Sequence, residues 1–383
     1  MLIEPGLRKG VATPPPSKSH LHRLLIADFL AGDTSRLKSD DADSKDIVAT
    51  KRCLRALAES GDEPVLDCGE SGSTLRFIAP VAAALGKRPK FVKAGRLAER
   101  PAMEYDGIAS GLHELAGDVS SQFVTGLLFA LPLLEGDSKI RFTTPLESRG
   151  YVDMTLAVVR GAGIVVKEVD GGFDVPGSQK FRSQALVEPE GDWSGAAFWH
   201  VANAIGNEIE IRGMNPASVQ PDRQIVVALR RIAGWDGTFD NQHTTSRSPF
   251  PVPHSPTSLD VREFPDSFPA LTIAAACTPG ETVFTGIRRL RIKESDRVSA
   301  MEDVLGRFGV ETLVDESRFV VRGTAGPLCG GAFRSFGDHR VAMSVAIGAT
   351  RAAGPVEIDD AACAAKSYPR FFAEFAALER AGA

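Results

Sequence analysis

Apolar residues in this chain gather into runs that open on small, polar or charged residues and close on or near glycine. The first run is Pro16-Ser17-Lys18-Ser19-His20-Leu21-His22-Arg23, leading into Leu24-Leu25-Ile26-Ala27-Asp28-Phe29-Leu30-Ala31-Gly32. The pattern predicts a helix with a polar first turn and an apolar body, capped by Ser17 or Ser19 and stopped by Gly32. The design recurs. Ser71-Gly72-Ser73-Thr74 precedes Leu75–Gly86, Ser120-Ser121-Gln122 precedes Phe123–Glu135, and Asp192-Trp193-Ser194-Gly195 precedes Ala196–Gly206. Pro265-Asp266-Ser267 precedes Phe268–Gly280, and Gly337-Asp338-His339-Arg340 precedes Val341–Ala349. The starts at 17, 71, 120, 194, 266 and 338 lie 54, 49, 74, 72 and 72 residues apart, which marks repeated supersecondary units. Buried helices that begin this way can converge their N-termini, whose backbone N–H groups are ready anion sites.

Strand-like runs alternate with these helices: Val65–Cys68, Phe91–Lys93, Lys139–Phe142, Gly163–Lys167, Glu208–Ile211, Glu281–Phe284, Arg318–Val321 and Pro355–Ile358. Residues 39–46 cap a further helix, Ile47–Ala58, and Val298–Phe308 is helical. The alternation with short connections predicts an α/β fold. A domain switch is expected near Glu188-Pro189-Glu190-Gly191, where the interval settles at about 72. Asn241–Ser258, crowded with Pro, Ser, Thr and His, is expected to form a long loop.

At 383 residues the chain has room for two domains, and its 43% hydrophobic content is that of a large soluble core. No apolar run reaches the ~18 residues of a membrane span, and no signal peptide is expected. The five cysteines show no Cys-x-x-Cys pair and read as reduced residues of a cytoplasmic protein. The seven histidines have no metal-ligand spacing, so no metal is expected. A net charge of −5 argues against nonspecific nucleic-acid binding.

Charge changes the picture locally. Lys18 and Arg23 stand where a helix dipole favours an anion, a placement costing roughly 0.3–1 kcal/mol each unless a ligand brings negative charge. Arg291-Ile292-Lys293-Glu294-Ser295-Asp296-Arg297 is the densest charged stretch. Helical spacing would gather Lys293, Glu294 and Arg297 at one helix start, cations for a phosphate beside a carboxylate able to move protons. Arg340, opening an apolar helix, needs an anion partner. Arg100 before Pro101, and Lys366 shortly before Pro369, set cations beside turns. Taken singly, each is ordinary solvated charge; repeated at corresponding edges of the repeats, they point to an anionic ligand.

These motifs resemble the enolpyruvyl transferase family, in its branch acting on shikimate 3-phosphate. They are Ser17-Lys18-Ser19 with Arg23, Gly69-Glu70-Ser71-Gly72-Ser73-Thr74-Leu75-Arg76, Glu99-Arg100-Pro101, Ser120-Ser121-Gln122-Phe123, Pro265-Asp266, Lys293–Arg297, Asp338-His339-Arg340 and Ala365-Lys366. All stand in the family's order across nearly the whole chain. The resemblance implies two similar domains of βαβαββ units around buried parallel helices, an inside-out α/β barrel. The domains would be 16–189, and 1–15 with 190–383, with ligands in the cleft between them. It implies a transferase that moves the enolpyruvyl group of phosphoenolpyruvate to the 5-hydroxyl of shikimate 3-phosphate and releases phosphate, on the way to chorismate and the aromatic amino acids. No cofactor is implied; the partners are the two small-molecule substrates, with no nucleic acid and no membrane, and the expected state is a cytoplasmic monomer.

By the same resemblance Lys18, Ser19, Arg23, Ser120, Ser121, Gln122, Ser148, Asp266 and Lys293 bind shikimate 3-phosphate. Lys18, Gly72, Arg100, Gln122, Arg297, Arg340 and Lys366 bind phosphoenolpyruvate. Asp266 is the base for the attacking hydroxyl, Glu294 the proton donor to the methylene carbon, and Lys18 the third catalytic group. The family glycine matching Gly72 borders the site where glyphosate also binds, and alanine there is associated with tolerance.

Departures accompany the resemblance. The intervals Lys18–Gly72 and Arg100–Ser120 are each shorter by on the order of 20 residues than the later repeats imply, as if each lacked a terminal β-hairpin and the first domain were reduced. Arg289 stands where the family has a polar or acidic substrate contact, and Phe77 follows Arg76 where proline or leucine is common. The alternatives are a carboxyvinyl transferase acting on another cyclic alcohol, a noncatalytic paralogue, or a relative of RNA 3′-terminal phosphate cyclases. The last lacks support from any basic stripe or nucleotide-phosphate loop.

Overall fold

The computed structural model describes residues 1–38, 40, 42–235, 237–240, 243–245 and 256–380 of the 383. The chain folds into two compact units, Lys18–Pro189 and Met1–Ser17 with Glu190–Ala383, each built on its own apolar core. Pro16 and Ser17 therefore go with the second unit, two residues past the boundary expected from sequence. Pro16 forms a bridge with Gly191, and the Ser17 N–H donates to the Glu190 carbonyl at 2.6 Å.

The N-terminal strands β1 (Leu2–Ile3) and β2 (Arg8–Ala12) belong to the unit that resumes at residue 190. The unit 18–189 then runs α1 (Lys18–Leu30), α2 (Lys45–Glu59), β3 (Val65–Gly69), α3 (Gly72–Ala84), β4 (Lys90–Lys93), β5 (Leu112–Ala116), α4 (Ser121–Ala130), β6 (Ser138–Thr144), α5 (Arg149–Gly161), β7 (Lys167–Val169) and β8 (Gly172–Val175). Its last repeat is a full βαβαββ unit: β5 is parallel to β6, β8 antiparallel to β6 and to β7, in sheet order β5-β6-β8-β7. Its earlier repeats are cut back. The chain passes from α2 to β3 with only residues 60–64 between, and β3 and β4 form a two-stranded parallel sheet. After β4 comes a 3-10 turn, Gly95–Ala98, and then β5, so this repeat lacks a second helix as well as the hairpin.

The other unit continues through α6 (Trp193–Ala204), β9 (Glu208–Ile211), α7 (Ile225–Ala233), β10 (Thr238–Asp240), β11 (His243–Thr245), β12 (Thr257–Asp260), α8 (Phe268–Ala276), β13 (Gly280–Thr285), α9 (Arg297–Arg307), β14 (Glu311–Val314) and β15 (Arg318–Gly323). It ends with β16 (Gly331–Phe333), α10 (His339–Ala349), β17 (Val356–Ile358), α11 (Phe371–Ala377) and β18 (Glu379–Arg380). The sheet β12-β13-β15-β14 repeats the β5-β6-β8-β7 plan strand for strand. Sheet β10-β11-β9-β2-β18 brings the N-terminal strand beside β9, in parallel, and β1 pairs with β17.

Helices α6, α8 and α10 pack on one another inside this unit. Every residue of each is buried, in keeping with their largely apolar composition. In the other unit α3 packs against α4, and α1 against α2, α3 and α5. The helix starts are built locally. The side chains of Ser44, Ser71, Ser120, Asp192, Asp296 and Asp338 each accept a hydrogen bond from an N–H of the first turn.

Three sequence expectations need correction. Lys293 and Glu294 are not helical: they form the turn between a 3-10 segment, Arg288–Ile292, and α9, because Asp296 takes the N-cap. Residues 163–166 are not in a strand, since the Gln179 side chain bonds both the N–H (2.7 Å) and the carbonyl (3.1 Å) of Val165 and so supplants a ladder partner. Of the expected loop 241–258, His243–Thr245 form a strand whose Thr244 pairs with Ile211, and residues 257–258 open β12; 241–242 and 246–255 lie outside the described residues. Among the described residues no helix is long and apolar enough to cross a membrane.

Candidate active site

In the unit 18–189 the N-terminal ends of α1, α3 and α4 carry the sequence-selected residues. Lys18 opens α1, and its ammonium lies 2.8 Å from the Asp46 carboxylate in the first turn of α2. One turn further, Arg23 is 2% exposed. Its guanidinium donates to the Ser19 carbonyl (2.5 Å), to Thr155 Oγ1 (2.8 Å) and to the Tyr151 carbonyl (2.8 Å), and stands 5.1 Å over the Phe77 ring. That gives the unusual Phe77 a packing role. Gly72 is the first residue of α3. A Cβ there would sit 2.5 Å from Arg76 Nη1 and 3.3 Å from Arg100 Nη1, so two guanidinium groups already occupy the space beside this glycine. Arg76 in turn donates to Gln122 Oε1 (2.6 Å) and twice to the Pro101 carbonyl (2.9 and 2.7 Å), while Gln122 Nε2 donates to Ser73 Oγ at 2.9 Å. Ser120 caps α4, with Ser121 buried beside it. Ser148 precedes α5 in the left-handed region, φ +57°, and is 1% exposed.

In the other unit the starts of α8, α9 and α10 meet around Asp266. This aspartate lies in the 3-10 turn Pro265–Ser267 before α8. Its carboxylate is 2.8 Å from Arg297, 3.1 Å from Arg340 and 3.4 Å from Lys293. Arg297, its side chain 1% exposed, also pairs with Glu294 and with Asp338, each at 2.8 Å. These three carboxylates offset the cost of burying the Arg297 charge. Arg340 reaches the Ser194 carbonyl (3.2 Å) and hydroxyl (3.0 Å) at the start of α6. Lys366, 5% exposed, ends a 3-10 turn, Ala362–Lys366, packed on α10.

The electrostatics follow from this crowding. Burial alone would raise the Asp266 carboxyl, but Arg340, Lys293 and Arg297 outweigh it and hold the group well below the usual carboxylate range. Burial likewise works against the Arg297 charge, yet Asp338, Glu294 and Asp266 carry its pKa above the ordinary value. Lys293 is pushed down to about 8 by burial, with Arg297 and Arg289 adding to the effect against the pull of Asp266. Arg289 is thus a buried neighbour of the acceptor-site lysine expected from sequence. Among the described residues no group of three or more His, Cys, Asp or Glu side chains is placed to hold a metal ion.

The model of the EPSP synthase (3-phosphoshikimate 1-carboxyvinyltransferase) family matches residues 98–375. The chain belongs to the EPSP synthase family. It is similar to the 3-phosphoshikimate 1-carboxyvinyltransferase of Clostridium kluyveri, with 36% identity over 98% of this chain and 96% of that protein. The Clostridium botulinum counterpart is 34% identical over the same shares. The first alignment runs over 420 positions against a chain of 383, so the relative has segments that this EPSP synthase family member lacks. Two solved structures share the fold. EPSP synthase from Acinetobacter baumannii has a TM-score of 0.71 at 24% identity, covering 98% of this chain and 97% of that one. The enolpyruvyl transferase NikO from Streptomyces tendae has 0.69 at 14%, covering 99% and 97%.

The structure therefore gathers Lys18, Ser19 and Arg23 on α1, and Gly72, Arg100 and Gln122 around Arg76. It gathers Asp266, Lys293, Glu294, Arg297 and Arg340 into a second group. Sequence reasoning gave no role to the residues that hold these in place: Asp46, Arg76, Ser194 and Asp338. Arg76 and Asp338 carried a signal, since each is a charged residue at the start of an apolar helix. Asp46 lay in the stretch 39–46, which the sequence marks only as a helix cap.

Proposed function

We propose that this chain transfers the enolpyruvyl group of phosphoenolpyruvate to the 5-hydroxyl of shikimate 3-phosphate, releasing phosphate, in chorismate synthesis. The observation that carries the reading is Asp266 ionised among Arg297, Arg340 and Lys293, with Glu294 on the same arginine. Lys293, with Ser19, Arg23, Ser120, Ser121 and Ser148, binds the acceptor phosphate ester. Arg100, Arg297, Arg340 and Lys366, with the backbone at Gly72, bind phosphoenolpyruvate; Lys18 and Gln122 serve both. Charge-assisted bonds of this kind supply ~1.5–3 kcal/mol each.

An aspartate held by three cations is a weak base. When the phosphate and carboxylate of phosphoenolpyruvate engage Arg297 and Arg340, their pull on Asp266 is shared and its basicity rises. Asp266 then takes the proton of the 5-hydroxyl as that oxygen bonds to C2 of phosphoenolpyruvate, and Glu294 delivers a proton to C3. In the resulting ketal-like intermediate Glu294 takes a methyl proton back from C3. The C2–O bond to phosphate breaks with the double bond re-forming, and the proton held by Asp266 passes to the departing phosphate, which returns both carboxyls to their starting states. Lys18 and the arginines stabilise the charge on the leaving phosphate. Within this reading the chain works as a cytoplasmic monomer on two small molecules.

The test is phosphate release by the purified protein with both substrates, with each alone, and with EDTA. Release that needs both substrates and is indifferent to the chelator is expected. Release no faster than in the single-substrate controls overturns the proposal.

A further inference from the structure

Lys18 occupies the first position of α1, where the helix dipole disfavours a cation. Its ammonium is nonetheless drawn in to 14% side-chain exposure, against an Asp46 carboxylate that is 7% exposed. Asp46 sits in the first turn of α2, the end where a carboxylate is favoured. Two helix starts of like polarity are thus reconciled by one ion pair, and a long flexible side chain is confined to one position.

The aspartate is itself fixed. The Thr74 hydroxyl lies 3.4 Å from the Asp46 carbonyl and donates to Ser71 Oγ at 2.7 Å, the hydroxyl that caps α3 beside Gly72. Thr74 Oγ1 and Thr50 Oγ1 are 2.7 Å apart, and Thr50 Oγ1 meets His22 Nδ1 at 2.7 Å. His22 is 1% exposed, and burial pushes its pKa down to about 3, so this chain of side chains is neutral. It locks the starts of α1, α2 and α3 in register around the Lys18–Asp46 pair.

We infer that Asp46 is the positioning residue for Lys18, fixing the ammonium where the proposed reaction brings the phosphate of phosphoenolpyruvate. The inference rests on the role given to Lys18 above. Removing the carboxylate while keeping its shape leaves the ammonium buried near its place but free to swing. Positioning errors of this kind lower turnover more than they weaken binding.

The experiment is a double-mutant cycle of Lys18→Met and Asp46→Asn, with Asp46→Glu as the conservative variant and thermal unfolding to compare stability. Asp46→Asn is expected to lower kcat by roughly 10–100-fold, with a smaller change in KM for phosphoenolpyruvate. Asp46→Glu is expected to recover part of kcat. In the Lys18→Met protein, adding Asp46→Asn is expected to cost little more. Near-normal kcat in Lys18→Met overturns the role of Lys18. If Lys18→Met is inactive while Asp46→Asn keeps its kcat, or if the two losses multiply, the role of Lys18 survives and that of Asp46 falls.

Discussion

Asp266 and Glu294 share Arg297, at 2.8 Å each, yet their proposed tasks are opposite, one taking a proton and the other giving one. Replacing either by its amide keeps the shape and removes the transfer. Asp266→Asn and Glu294→Gln are each expected to cut kcat by ~10²–10⁴-fold with far smaller effects on substrate affinity. A variant that turns over near the normal rate loses its place in the mechanism. Lys293 offers a pH signature. Its pKa is pushed down to about 8 by burial, so the free protein loses this ammonium as pH rises through that value. Proton linkage then weakens shikimate 3-phosphate binding above about pH 8, each further unit costing up to ~10-fold. Calorimetric titration between pH 7 and pH 9.5 checks this, and Lys293→Gln is expected to flatten the curve. An equally steep fall in that variant would assign the titration to another group.

Helices α3 and α4 show how the same substitution has two outcomes, set by what the added carbon meets on α3 or beside it. Pro80 inside the helix cannot donate to the Arg76 carbonyl, and Gly126 of α4 packs against that very oxygen: a Cβ there would lie 2.3 Å from it and 2.7 Å from Pro80. Backbone cannot step aside, so Gly126→Ala is expected to destabilise the fold by at least ~1–3 kcal/mol, read from denaturant unfolding. At Gly72 the clash is with the tips of the Arg76 and Arg100 side chains, which can move. Gly72→Ala is expected to fold normally but to displace both guanidinium groups. Glyphosate, longer than phosphoenolpyruvate, is expected to lose more affinity than the substrate. Equal proportional changes in the inhibition constant and in KM would mean that Gly72 serves only the turn.

The whole chain has two cores, one led by Trp193, Trp199, Phe268 and Phe371, the other by Phe77, Phe129 and Phe173. Each unit places cations and polar helix starts together, and the proposed chemistry needs both sets. Separate cores make heat unfolding depart from an all-or-none transition. Calorimetry is expected to give an enthalpy larger than the van't Hoff value, and equality of the two would show that the units melt as one. The missing helix and hairpins do not touch this plan. The starts of α1, α3 and α4 keep their side chains.

Much of this was legible in the linear chain because it is local. A serine or aspartate reaches an N–H only two or three residues ahead, so the caps at Ser71, Ser120, Asp192 and Asp338 could be read without knowing what surrounds them. The shortened repeats were equally visible as intervals, and the family motifs as words in order. What the linear chain left undetermined is pairing at a distance. Lys18 and Asp46 are 28 residues apart, Arg297 and Asp266 31, Arg297 and Asp338 41, and Arg340 and Asp266 74. Whether such charges meet depends on how the helices pack. Once a guanidinium is buried, its charge is kept by the partners that the fold delivers, carboxylates at Arg297 and carbonyls and hydroxyls at Arg23.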